Sequence, residues 1–108
     1  MLLNIFKTKE AVQFASDLAT EFTKRAPPAI LAESTPQAES RLRGAKDLLV
    51  SRTQVFAERN RLNLFSRARL ANTLKWRLRE AGYKDDLTDA LVLEVVRIIT
   101  LIKATKKK

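Results

Sequence analysis

The stretch NLFSRARLANTLKWRLREAGY, residues Asn63–Tyr83, decides the fold. It holds no proline, and its one glycine comes at the end. Leu64, Ala68, Ala71, Leu74, Leu78 and Ala81 recur at spacings of three or four, which is the core stripe of an amphipathic helix. Asn63 is a natural N-terminal cap. Gly82 stands where a helix ends in a left-handed residue. A second stripe, Phe65, Arg69, Asn72, Trp76, Arg79 and Tyr83, runs along another side and reaches back to Arg61. Two readings fit it. Buried against another helix or a second copy, its Arg stems would lie along the rings. Exposed, its guanidinium groups would pair with phosphate and its rings would stack on unpaired bases.

Outward from that stretch the chain keeps helical periodicity. Thr8 is placed to cap a helix from Lys9, with Ala11, Phe14, Ala15, Leu18 and Phe22 on its inner face and Pro27–Pro28 as its stop. Ile30 and Leu31 should pin the connection that follows. Ser34 or Thr35 starts a second helix with Pro36 at its first position. Ala38, Leu42, Ala45, Leu49 and Phe56 form its face, widened by Leu48 and Val55. Gly44 inside it marks either close packing or nothing structural. Asn60 and Asn63 are the one plausible break before the third helix. The alternative is a single helix from Pro36 to Ala81, roughly 69 Å long. A heptad reading puts Arg52, Arg59, Asn63 and Ser66 in the seam and so argues against a long coiled coil.

After the turn at Tyr83–Asp86, Asp86 should cap a last helix, with Leu87, Leu91, Val95, Ile98 and Ile102 as its main stripe. Val92, Val96, Ile99 and Leu101 spread apolar surface nearly all round it, which suits a bundle centre or a dimer interface. The expected fold is all-α: a small bundle of four helices, about 9–25, 36–59, 63–81 and 87–103. The first, second and fourth would pack around the third. Residues 1–103 form one domain in this reading, and the basic tail 104–108 is disordered. Met1–Phe6 is apolar but lacks the marks of a secretory signal. Leu2, Leu3, Ile5 and Phe6 would fold onto the core or dip into a lipid surface.

Composition narrows the function. The chain has 108 residues, no Cys and no His. It therefore lacks the thiolate nucleophile, the usual zinc ligands and the commonest general base, which argues against an enzyme and against a metal site. With only Gly44 and Gly82, a glycine-rich phosphate loop is impossible. Asp85, Asp86 and Asp89 lack a calcium-loop pattern and read as helix-start carboxylates. No cofactor and no small-molecule substrate are expected. The missing cysteine fits a reducing, cytoplasmic setting.

Net charge is +9, and it is unevenly placed. Residues 1–40 carry 4 basic and 5 acidic side chains, residues 41–84 carry 12 and 3, and residues 85–108 carry 5 and 4. The excess lies in the second and third helices. This leans to nucleic acid, with contact chiefly to the backbone through Arg59, Arg61, Arg67, Arg69, Lys75, Arg77 and Arg79, and with Phe65 and Trp76 as stacking rings. The alternative is a protein-interaction or assembly module, a homodimer included, anchored by Phe65, Trp76 and Tyr83. Peripheral membrane contact through the N-terminal apolar residues ranks below both.

Overall fold

The computed structural model describes the backbone of residues 2–106 and the side chains of residues 8–103. The chain is all-helical: α1 Leu2–Arg25, α2 Pro28–Leu31, α3 Pro36–Arg59, α4 Leu64–Ala81 and α5 Asp85–Lys106. The four long helices form a bundle, and α2 is a single turn in the connection.

Each helix boundary has a local cause. α1 runs until Pro27 and Pro28 end it, and the Arg41 Nε of α3 donates to the Arg25 carbonyl at 2.9 Å. Thr35 accepts from the Ala38 amide at 3.1 Å, with Pro36 in the first helical position. Asn60 leaves helical geometry at φ −129° and ψ 127°, so α3 and α4 are separate helices. Asn63 then caps α4 by accepting from the Ser66 amide at 2.7 Å. At the far end Gly82 adopts φ 108°, and Tyr83 N–H donates to the Leu78 carbonyl at 3.2 Å. That six-to-one bond, with Gly82 N–H on Arg79, is a Schellman closure.

Side-chain contacts fix the directions. Thr8 meets Ser66 near the starts of α1 and α4, and Phe22 meets Tyr83 near their ends, so the two helices run parallel. Phe14 stacks on Phe56 with centroids 4.1 Å apart, and Glu21 pairs with Arg52, so α3 runs antiparallel to α1. Lys75–Asp89 and Arg79–Asp85 set α5 antiparallel to α4. α4 packs between α1 and α5. α3 packs on those same two helices and lies diagonally across from α4, so it does not contribute the third side of an α4-centred core that the sequence suggested. The Asn60–Asn63 link crosses the bundle end on that diagonal, and Leu62 within it is buried.

Several boundaries differ from expectation. α1 begins at Leu2 rather than Lys9; Thr8 is inside the helix, and its hydroxyl meets Ser66 instead of capping. α5 begins at Asp85, two residues early, placing Asp85 and Asp86 in its first turn. Its helical backbone continues through Lys106, into the tail expected to be disordered; Lys107 and Lys108 lie outside the described residues. The side chains of Leu2, Leu3, Ile5 and Phe6 also lie outside them. Ile30 and Leu31 are half-buried in α2, with Leu31 against the core. Val55 is exposed rather than part of the α3 face. A Cβ added to Gly44 would meet nothing, so no close packing explains that glycine.

The largest correction concerns α4. Its buried row is Ser66, Leu70, Leu74 and Leu78, while Leu64 is 74% exposed and Ala68 and Ala81 are exposed. The inner face is rotated by roughly 65° from the stripe read in the sequence, at 100° per residue. The two rows share Leu74 and Leu78 and part company in the first turns. There Ser66 goes inside, with its hydroxyl 3.1 Å from that of Thr8, while Leu64 at the helix start faces water.

Leu74→Ala should therefore cost about 2–5 kcal/mol in urea denaturation, and Leu64→Ala within about 0.5 kcal/mol. Equal losses would place Leu64 in the core. Gly44→Ala should stabilise by about 0.5–1 kcal/mol, since an Ala side chain fits there and favours helix.

Candidate nucleic-acid interface

The rotation of α4 decides which residues can meet a partner. With Leu70, Leu74 and Leu78 inside, Phe65, Arg69, Asn72 and Trp76 fall on the exposed side of the helix, and Phe65 and Trp76 are each 65% exposed. The two rings stand eleven residues apart, roughly 16 Å along the helix. Arg69 and Asn72 lie between them. Between α1 and α4, Val12, Arg69, Asn72, Thr73, Trp76, Arg77 and Glu80 line a shallow groove of about 550 Å³.

The ten residues suggested by sequence divide into groups. Phe65, Arg69, Trp76 and Arg77 share the outer side of α4 or its groove with α1. Arg77 lies 3.6 Å from Glu80 on its own helix, and both are well exposed, so the pair holds Arg77 loosely. Arg69 has no ion-pair partner among the described residues. Lys75 and Arg79 turn to the other flank and pair with Asp89 at 3.7 Å and Asp85 at 3.4 Å on α5. Two of the three carboxylates at the start of α5 thus neutralise α4. Arg67 falls on the buried side of the rotated helix: it is half-buried, and its Nε has no hydrogen-bond partner. Arg59 and Arg61 lie at the bundle end, exposed, near the cavity of about 440 Å³ lined by Ala57, Asn60, Arg61, Leu62, Asn63, Ile99 and Lys103.

Tyr83 does not belong to the outer stripe. It follows the helix end, so the Schellman closure swings it inward, and it is 6% exposed. Its ring packs edge-on against Phe22 at 5.4 Å, and its hydroxyl donates to the Ala26 carbonyl. This supplies a partner to a carbonyl at the end of α1. Burial pushes the phenol above its ordinary value, while a hydrogen bond with Thr23 acts in the opposite direction. A helical stripe projected from the sequence runs one residue past Gly82, where helical geometry no longer applies.

Asn72 and Thr73, in contrast, are groove residues absent from the charge-based set; their signal was helical spacing from Arg69 and Trp76. Comparison with protein-family models, curated proteins and solved structures found no match to this chain. Among the described residues, no helix is long and apolar enough to cross a membrane.

Tyr83→Phe should lower stability by about 1–3 kcal/mol, because it leaves the Ala26 carbonyl without its donor. The raised phenol pKa has a defined sign. Its contribution is fully present below about pH 10 and is lost as pH rises through the folded value. Denaturation of wild type should therefore show an alkaline loss that is smaller in Tyr83→Phe. Parallel curves above pH 10 would contradict the buried phenol.

Proposed function

We propose that this is a non-enzymatic nucleic-acid-binding protein of the cytoplasm, and that the outer face of α4 is its contact surface. The observation that carries the reading is the exposure of Phe65 and Trp76 on the same face as Arg69, with Arg77 beside them in the groove. α4 carries five basic side chains and one acidic, Glu80. Arg59 and Arg61 extend the basic surface past the start of α4. Lys75 and Arg79, engaged with α5, contribute to the field more than to direct contact. Phosphate pairing by guanidinium groups needs no catalytic group, which agrees with a chain lacking His and Cys.

The test is a salt titration of binding to mixed-sequence DNA and RNA. Log affinity should fall linearly with log salt, at a slope near −0.9 per phosphate neutralised on duplex DNA. Arg69→Ala with Arg77→Ala should make the slope shallower by about 1–2. Undetectable binding at low salt would overturn the proposal.

A second reading, assembly with another copy, rests on a different helix. Leu93 and Leu101 of α5 are 56% and 61% exposed, and they lie roughly 12 Å apart along it. A dimer joined there would leave the α4 face open. Sedimentation should then give a dimer for wild type and a monomer for Leu93→Ser with Leu101→Ser. A wild-type monomer at high concentration removes this reading.

A further inference from the structure

The geometry points to the groove between α1 and α4 as a seat for one unpaired nucleotide of a single strand, with its base on the Trp76 ring and its flanking phosphates on Arg69 and Arg77. This rests on the nucleic-acid reading and makes it more specific. Three observations select a single strand over a duplex.

The first is the ring itself. Trp76 is 65% exposed on the outer side of a rigid helix, whose opposite side is pinned by the fully buried Leu70, Leu74 and Leu78. A base offers its flat face to such a ring only when it has left its stack, which single strands allow without cost in base pairing. The second is the placing of charge. Arg69 and Arg77 are eight residues apart, roughly 12 Å along the helix, with Trp76 beside Arg77 and one turn of polar side chains, Asn72 and Thr73, between them. Cations flanking a ring match the alternation of phosphate and base along a strand. Asn72 supplies both a donor and an acceptor for a base edge. The third is bulk. Phe65 and Trp76 project from both ends of the face, so a helix laid in a duplex major groove would drive two apolar rings against paired, stacked bases. Phe65, roughly 16 Å from Trp76, offers a second ring to a neighbouring stretch of the same strand.

Glu80 is the one acidic side chain lining the groove among the described residues, and it faces Arg77 at 3.6 Å. Both groups are exposed, so a phosphate can replace the carboxylate on Arg77, and Glu80→Gln should tighten binding.

The probes are a short labelled oligothymidylate, a duplex of the same length, and thymidine monophosphate, each with wild type and with Trp76→Ala, Trp76→Phe and Glu80→Gln. Trp76 is exposed, so its replacement should leave the helical circular dichroism and the urea midpoint in place. Oligothymidylate should quench the single Trp and bind more tightly than the duplex. Trp76→Ala should weaken it about tenfold to a hundredfold, with Trp76→Phe restoring most of the affinity. Equal affinity for duplex and single strand, with no effect of Trp76→Ala, would overturn this inference and leave phosphate binding by α4 standing. No binding of any probe at low salt would overturn both. Thymidine monophosphate binding as tightly as the oligonucleotide would replace the strand with a free nucleotide. A dimer that Trp76→Ala dissociates would replace it with a second copy of the chain.

Discussion

Burial of the row Ser66–Leu70–Leu74–Leu78 is the constraint on which the rest depends. These side chains recur every four residues and are all at 0% exposure, wedged between α1 and α5. A row of i, i+4 positions slants across a helix, so filling it sets both the rotation of α4 and its contacts with its neighbours. At the two ends specific bonds hold the same register: Ser66 meets Thr8 at the start, and Tyr83 reaches the end of α1 after the turn at Gly82. Once that rotation is fixed, Phe65, Arg69, Asn72 and Trp76 have nowhere to go but outward.

The same rotation sorts the positive charge. Part of the excess read from the middle of the chain is compensated within the molecule. Lys75 and Arg79 face the acidic start of α5, Arg52 pairs with Glu21, and Arg41 caps α1. What remains on the α4 outer side is small and defined: Arg69, the loosely held Arg77, and two rings. Exposed ion pairs of this kind contribute little to stability, so their main effect here is to set which cations stay open to solvent.

The sequence resolved the architecture better than the surfaces. Caps and breakers were readable because they act locally. Pro27–Pro28, Thr35–Pro36, Asn63 and Gly82 each set a boundary through their own backbone chemistry. The inner faces of α1 and α5 were also readable, because Leu18, Phe22, Leu91 and Val95 leave little choice of rotation. α4 was ambiguous because two overlapping rows, one with Leu64 and Ala68, one with Ser66 and Leu70, share Leu74 and Leu78. Contacts distant in the chain, Thr8 with Ser66 and the packing of Leu70 between α1 and α5, decide between them, and that information is not local. Tyr83 was misplaced for the converse reason, since a left-handed residue before it ends the periodicity. The start of α1 at Leu2 was hidden by a plausible cap at Thr8 whose hydroxyl bonds across the bundle instead. The diagonal link from α3 to α4 had no signal beyond Leu62, a buried apolar residue between two asparagines.

The central claim is that the folded chain holds the Trp76 ring open to water on a helix whose other side is closed. Fluorescence of the single Trp in the free protein tests it most directly, by emission maximum and by quenching with a neutral, water-soluble quencher across a range of protein concentrations. The account predicts emission close to that of free tryptophan and efficient quenching at every concentration. A blue-shifted emission protected from quencher would contradict it and place Trp76 in a core or beneath a second copy.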